Sequence, residues 1–307
     1  MEKNSRIYIA GHTGLVGSAV VRELRRRGYV RIQVSDSSVT DLRDRYKTRS
    51  WFGAYGPEYV FLCAAHAGGI KEAIGHPVEM LSDNILIQTN VINACKEFGV
   101  KKLINFGSSC LYPVDAEQPY REEQLGTGKT DENWSYAAAK LAGIELCRAH
   151  HRQYGRNFMS VIPCNIYGIN DRFDEYGHVI PSLIRKFHEG GVVELWGDGN
   201  AKREFLYSDD LAEACVLLME GYTYSDLVDG VVNIGSGEET QICGLKAVIS
   251  NTVKNYTLNT WNFSKPSGVP SKLMDSSRMR AFGWKPKTSL EDGIRKVYGW
   301  YNNSARC

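Results

Sequence analysis

Gly11-His12-Thr13-Gly14-Leu15-Val16-Gly17 sets the topology of the first half of the chain. It comes after a strand-like run at 6–10 (RIYIA). It opens a stretch, 14–27, whose apolar residues recur at helical spacing and which ends in a basic turn before Gly28. A glycine motif alone says little, but between a strand and a helix each glycine has a task. One permits the tight turn, one lets backbone approach a pyrophosphate, and one lets the helix pack on the strand. The helix N-terminus then turns unpaired N–H groups and a positive dipole end toward an anion.

Beyond that turn, β-branched runs alternate with helical periods. Strands are expected at 31–35, 59–64 (YVFLCA), 102–107 and 157–162, and helices at 43–52, 79–98 and 136–154. The run at 59–64 is nearly all apolar, as a strand buried on both faces should be. Strand–helix alternation predicts an α/β fold with a Rossmann-type doubly wound parallel sheet and right-handed crossovers. We take 1–164 as a dinucleotide-binding domain. After Pro163 the pattern changes: 165–178 is rich in Gly, Asn and Asp, and shorter elements come after it. Helices are expected at 179–189, 211–220, 245–253 and 290–300, and strands at 192–196, 204–206 and 231–234. We take 165–307 as mainly a smaller α/β substrate-binding lobe, with some segments returning to the first domain.

Composition narrows the class. Of 307 residues, 43% are hydrophobic and 23% charged, and the formal net charge is +2. That balance gives no electrostatic case for nucleic acid or a membrane surface. No apolar window is long enough to span a bilayer, and the polar start at 1–6 does not read as a signal peptide. Cys63, Cys95, Cys110, Cys147, Cys164, Cys215, Cys243 and Cys307 form no CxxC pair. They read as reduced thiols of a cytoplasmic protein, and no metal site is expected.

Two further features carry chemistry. Asp36 lies about twenty residues past the glycine turn, where an acidic residue can take both ribose hydroxyls of NAD; it could equally be a turn aspartate facing solvent. Tyr136-Ala137-Ala138-Ala139-Lys140 places a phenol and an ammonium on one helical face. A cation beside a phenol is expected to lower its pKa and make it usable in acid–base chemistry. Ser108, just after the fourth strand, would stand near the C-terminal sheet edge, where its hydroxyl could bond a substrate oxygen beside Tyr136.

The glycine turn, Ser108 and the Tyr136/Lys140 pair resemble the extended short-chain dehydrogenases/reductases. Further segments narrow the likeness: Ala64-Ala65-His66-Ala67-Gly68-Gly69, Gly107-Ser108-Ser109-Cys110-Leu111-Tyr112-Pro113, Pro163-Cys164-Asn165-Ile166-Tyr167-Gly168, Gly177-His178-Val179-Ile180-Pro181, Trp196-Gly197-Asp198-Gly199 and Arg203-Glu204-Phe205. Together they look like the GDP-L-fucose synthase family, 3,5-epimerase/4-reductases of GDP-4-keto-6-deoxymannose, over nearly the whole chain. The resemblance implies a GDP-linked keto-sugar substrate and a homodimer. It implies Cys110 as base and His178 as acid, with Ser108, Tyr136 and Lys140 serving the reduction. A C4 ketone acidifies the C3 and C5 protons, and a thiol and an imidazole suit their exchange near neutral pH.

The same resemblance implies a cofactor set of Gly11, Thr13, Gly14, Leu15, Val16, Gly17, Asp36, Ala64, Ala65, Tyr136, Lys140, Pro163, Asn165, Ile166 and His178. For the substrate it implies Ser108, Ser109, Asn165, Val179, Lys186, Trp196, Arg203 and Asp275, with Arg185 an alternative register for Lys186. Arg203 could pair with a pyrophosphate bidentately, and Lys186 could add a point charge. The family uses NADP(H). Its bacterial members often carry arginines where this chain has Thr13 and near Ser37, so with Asp36 at hand NAD(H) is also possible. Rival expectations are a C5-epimerase/4-reductase or C4-reductase for another GDP-keto-sugar of colitose or heptose type, and a non-catalytic dinucleotide-binding regulator on the same fold. The regulator would be expected to lose Tyr136, Lys140 or Cys110, and all three are present.

Overall fold

In the computed structural model, which describes residues 1–130, 134–255, 257–265 and 269–304, strand and helix alternate as far as Pro163. The elements are β1 (Ile7–Ala10), α1 (Leu15–Arg26), β2 (Ile32–Gln33), α2 (Arg45–Tyr55), β3 (Tyr59–Leu62), α3 (Ile70–Gly75), α4 (Pro77–Glu97), β4 (Lys102–Phe106), α5 (Trp134–Tyr154) and β5 (Phe158–Pro163). Next come β6 (Asn165–Tyr167), α6 (Val179–Glu189), β7 (Gly191–Trp196), β8 (Lys202–Tyr207), α7 (Ser208–Gly221), β9 (Val231–Ile234), β10 (Glu239–Gln241), α8 (Ile242–Val253), β11 (Thr257–Asn262), α9 (Ser277–Ala281) and α10 (Leu290–Ser304).

The main sheet runs β2-β1-β3-β4-β5-β9, and every pairing in it is parallel. Strand residues alternate between two apolar layers, as the period of two requires. Ile7, Ile9 and Phe61 meet Val20 and Leu24 of α1 and Leu211 and Leu218 of α7. Tyr8, Val60 and Leu62 meet Trp51 and Phe52 of α2, Ile92 of α4 and Cys147 of α5. The doubly wound fold is therefore built from strands buried on both faces. α7 packs along α1, and β9 joins the sheet, although both lie after residue 165. Lys102 anchors that return. Its buried ammonium donates to the carbonyls of Met219 (2.8 Å) and Tyr222 (2.6 Å), satisfying acceptors that the end of α7 leaves open.

The remaining strands form two small sheets. β8 pairs in parallel with β6 and antiparallel with β10, and β7 pairs in parallel with β11. A third apolar cluster, including Tyr167, Ile184, Phe187, Ile249 and Ile294, lies beneath them. The strand expected at 31–35 shrinks to two residues, because an edge strand pairs on one side only: Ile32 with Ile7 and Gln33 with Tyr8. The stretch at 165–178, expected to be irregular, begins with β6. That strand, β10 and β11, together with the short helices α3 and α9, were not expected. The strands owe their form to partners far along the chain, which local periodicity does not reveal.

A polar seam fixes α4 to its neighbours. The Asn84 side chain accepts from the His66 N–H (3.0 Å) and donates to the His66 carbonyl (2.8 Å), gripping the loop after β3. One turn on, buried Gln88 donates to the carbonyl of Ala139 (2.9 Å), the residue before Lys140. Gly143 makes room for it, since a Cβ there would meet the Gln88 side-chain oxygen. Gly→Ala inside a helix ordinarily stabilises by about 1 kcal/mol. Here the sign should reverse: Gly143→Ala is expected to lose about 1–3 kcal/mol in urea denaturation through overpacking. Adding Gln88→Ala should cost less than the two single losses combined. A neutral or stabilised Gly143→Ala would contradict this packing.

Candidate active site

Because the six main-sheet strands are parallel, their C-terminal ends share one edge, and four of the exits there carry the candidate residues. Gly11 follows β1, Ala64 follows Cys63 and β3, Ser108 follows Gly107 and β4, and Asn165 lies just beyond β5. β1, β3, β4 and β5 are consecutive neighbours, and the order of strands reverses around β1, the place where such sheets bind ligands.

The turn after β1 is shaped for a dinucleotide. Gly11 has φ +84°, and a Cβ on it would come within 2.6 Å of the Ala64 nitrogen. Gly14 heads α1 with no side-chain cap, which leaves the first-turn N–H groups to an incoming anion. Thr13 is exposed, Leu15 and Val16 are half-buried, and Gly17 is buried. Ala64 and Ala65 are half-buried small residues beside the turn. Asp36 stands next to it, its exposed carboxylate 3.6 Å from His12 Nε2. These residues fit a nicotinamide dinucleotide, with its pyrophosphate on the glycine turn and its adenosine ribose near Asp36.

Beside that turn lies the second group. Ser108 caps a short 3-10 turn (Ser109–Leu111) by accepting from the Cys110 N–H (3.4 Å), and Ser109 and Cys110 are buried. The turn packs on α5. Lys140 is 2% exposed, with its Nζ 5.8 Å from the Tyr136 ring centroid. Burial pushes the ammonium down to about 8, while Cys63 and Cys110 draw it back up. Tyr136 is pushed well above the ordinary phenol value by burial, and Cys110 adds to the rise. The expectation that Lys140 lowers the phenol is thus corrected: the spacing is right, but desolvation outweighs the cation. Such a phenol stays protonated at neutral pH.

The third group arrives from the loop after β6. Pro163 is buried, and Asn165 Nδ2 donates to the Glu204 carbonyl (2.9 Å). Ile166 is half-buried, and Gly168 passes close to Leu15. His178 heads α6, followed by half-buried Val179. The His178 residue is exposed to solvent, yet its imidazole is held below the ordinary value by desolvation and by the Arg172 charge. The two agree if part of the residue meets solvent while protein surrounds the ring.

At the far end, Lys186 donates to the Glu194 carbonyl (3.2 Å), and burial together with Lys71 and Arg185 lowers its pKa. Arg185 is paired with Glu189 (3.1 Å). Both registers left open thus have a partner already, a carbonyl for Lys186 and a carboxylate for Arg185. Trp196 carries Lys265 over its ring at 5.4 Å. Arg203 does not stand as an open fork, since its Nη1 donates to the carbonyls of Lys202 and Val269, both at 2.7 Å. Asp275 accepts from the Ser277 N–H (2.8 Å) and lines a groove of about 400 Å³ with Arg121 and Arg278. Among the described residues no cluster suited to a metal ion is found.

Several polar residues of this region were missed: Glu72, Asn84, Gln88 and Glu204. Glu204, fully buried, accepts from the N–H groups of Gly237 (2.7 Å) and Met274 (3.0 Å), and burial pushes it up to about 7. Its place inside Arg203-Glu204-Phe205 was the available signal.

Buried Lys140 has a measurable consequence. Between about 8 and its ordinary 10.5, the unfolded chain binds more protons than the folded one, so stability attributable to this group rises with pH across that window. Below it the full penalty is present, about 3 kcal/mol. Lys140→Met should therefore gain about 1–3 kcal/mol in urea denaturation at neutral pH, a gain that fades toward about pH 10. Destabilisation at neutral pH would contradict this.

The comparisons agree with the geometry. The NAD dependent epimerase/dehydratase family matches residues 7–235. GDP-L-fucose synthase 1 of Arabidopsis thaliana is 43% identical over 307 residues, covering 98% of this chain and 94% of the relative. A GDP-6-OMe-4-keto-L-xylo-heptose reductase from C. jejuni superposes with TM-score 0.94 at 33% identity, covering 99% of both chains. A GDP-mannoheptose C4 reductase from Campylobacter jejuni, solved with NADP bound, has TM-score 0.88 and 34% identity, covering 98% of this chain and 99% of that one. Nearly full-length likeness of this kind, laid over the same sheet edge, leads to one assignment: the chain belongs to the NAD dependent epimerase/dehydratase family, in its GDP-L-fucose synthase branch.

Proposed function

We propose that the chain converts GDP-4-keto-6-deoxymannose to GDP-L-fucose, epimerising C3 and C5 and then reducing C4. One observation carries this reading: Cys110, Tyr136 and Lys140 lie within electrostatic reach of one another at the edge that bears the glycine turn. A reductase alone needs the thiol only for packing, whereas an epimerase uses it as a base. The first domain, 1–164, holds the dinucleotide, and the later lobe holds the nucleotide-sugar.

As a thiolate, Cys110 takes the proton from C3 or C5, and the C–H electron pair moves into the C4 carbonyl to form an enolate. Tyr136 and Ser108 donate hydrogen bonds to the developing oxyanion, and the Lys140 charge stabilises it. His178, whose lowered pKa makes its protonated form the minor but more acidic one, delivers a proton from that form to the opposite face, the carbonyl re-forms and the carbon is inverted. Cys110 then releases its proton to solvent, His178 recovers one, and the cycle repeats at the other carbon. A reduced nicotinamide, when bound, supplies hydride to C4. Tyr136, kept protonated by burial, passes its proton to the resulting alkoxide. Ser109, Val179, Lys186, Trp196, Arg203 and Asp275 hold the nucleotide-sugar. For Arg203 this needs its other guanidinium nitrogens or a rotation away from the two carbonyls.

A second reading has its own support. The heptose reductase superposition favours a GDP-4-keto-heptose reduced at C4, with epimerisation at one carbon or none. On cofactor, NADP in the Campylobacter neighbour supports NADPH, while Asp36 and the missing arginines support tolerance of NADH. Exposed Val78, Ile85 and Leu86 on α4 support a homodimer through α4 and α5. None of the cysteines among the described residues forms a disulfide, which supports a cytoplasmic protein.

Incubation with GDP-4-keto-6-deoxymannose and each reduced cofactor, with products identified by NMR, should yield GDP-L-fucose. Turnover of only a keto-heptose substrate would move the assignment to the second reading. In D₂O, Cys110→Ser should lose deuterium uptake at C3 and C5 by about 100-fold or more while hydride transfer falls far less. Undiminished exchange would remove Cys110 as base. The kcat/KM values for NADPH and NADH should lie within about tenfold, a difference under about 1.4 kcal/mol; outright rejection of NADH would overturn the role given to Asp36.

A further inference from the structure

The loop that carries His178 is tied to α3 by a charge network, centred on one buried carboxylate, that the mechanism above does not use. Glu72 sits in the first turn of α3 with its side chain 5% exposed. Its Oε1 lies 2.9 Å from His66 Nε2 and 3.2 Å from His76 Nδ1, and its Oε2 accepts from Arg172 Nη1 at 2.9 Å. His66 presents its other nitrogen, Nδ1, to Asp83 at 3.3 Å. Burial lowers the His66 pKa, but the two carboxylates, which accept from its ring nitrogens, outweigh that and raise it above the ordinary value, favouring the imidazolium. Asp83 is in turn paired with Arg43 (3.2 Å), and Arg172 with Asp174 (2.7 Å). The signs alternate along Arg43, Asp83, His66, Glu72, Arg172 and Asp174, so each charge has a neighbour of opposite sign.

This network joins two parts of the site. His66 lies in the Ala64–Gly69 stretch beside the glycine turn, and Asn84 holds its backbone. Arg172 begins the segment that ends at His178. That segment is folded back by the Gly177 N–H on the Asp174 carbonyl (3.2 Å) and the Tyr176 N–H on Asp174 Oδ1 (2.9 Å). It is tied across by the Gly69 N–H on the Tyr176 carbonyl (2.7 Å). The Arg172 guanidinium also lies over the Tyr176 ring at 5.0 Å. A carboxylate buried this deeply is tolerated only where donors surround it. Removing it takes away the one carboxylate that Arg172 and His66 share and leaves each with its outer partner only, Asp174 and Asp83.

We infer that Glu72 is a positioning residue for His178: its carboxylate, held by His66 and holding Arg172, fixes the loop that sets the imidazole over the cleft. The inference rests on the acid role proposed for His178. Among the described residues the network's ion pairs reach neither α5 nor the glycine turn itself, so reduction should suffer less than exchange.

The test uses the full chain and the variants Glu72→Gln and Arg172→Gln. With NADP⁺ bound and GDP-4-keto-6-deoxymannose in D₂O, each variant should lose about tenfold or more in exchange at C3 and C5, since small misplacements of a reacting group are costly. The NADPH dissociation constant should stay within about threefold, and the double variant should be no worse than the weaker single one. Exchange and cofactor affinity falling together would mark a general folding role and overturn the inference, as would exchange within about twofold of the parent in both variants.

A second arm, histidine NMR of the same proteins with His178→Gln for assignment, needs no turnover. Arg172→Gln should raise the His178 midpoint, Glu72→Gln should lower that of His66, and both should displace the His178 resonance. A His178 resonance unmoved by either variant would refute the latch. A parent enzyme that exchanges neither carbon would instead defeat the proposed epimerase, leaving this second arm to judge the latch.

Discussion

Parallel strand direction is the constraint on which everything else rests. Because β1, β3, β4 and β5 point the same way, four exits from the sheet, at Gly11, Ala64, Ser108 and Asn165, fall along one edge. No side chain has to bring them together. Backbone hydrogen bonding does it, and the left-handed Gly11 lets the first exit lie against Ala64. In the proposed reading the site is completed by α5 with its phenol and ammonium, and by the loop after β6 with its imidazole.

Burial at this edge has a thermodynamic price. Lys140 is almost without solvent, and its ammonium is depressed accordingly. An apolar residue there would be more stable, and in the proposed mechanism the cation near the thiol and the phenol serves both halves of the chemistry. Such local conflicts with stability are where functional residues stand out from core ones. Glu204 and Glu72 are buried carboxylates too, but with different surroundings. Two backbone N–H groups satisfy Glu204, whereas cations compensate Glu72.

The sequence made the glycine turn, the i,i+4 pair of Tyr136 and Lys140, and the main-sheet alternation legible, because each is written in a short window. It could not show burial, and so the Tyr136 phenol moves opposite to the direction that spacing suggested. Nor could it show partners at long separation. β6 exists because β8 lies beside it, Gln88 meets Ala139 across two helices, and Glu72 reaches Arg172 from another loop. Arg203 reads as an open guanidinium in the sequence, yet its Nη1 is held by two carbonyls in the fold. The Asn165–Tyr167 strand was hidden by its glycine- and asparagine-rich continuation, whose composition suggests only a loop.

The central claim is spatial: one pyranose ring lies between a thiol and an imidazole, with its carbonyl turned to a phenol. A crystal structure with NADP⁺ and a GDP-keto-sugar bound tests it most directly. The account requires Cys110 Sγ and the His178 ring on opposite faces of the sugar, each within about 4 Å of C3 or C5, and the Tyr136 hydroxyl on the C4 oxygen. A complex with either side chain turned away from the ring, or with both on one face, would contradict it.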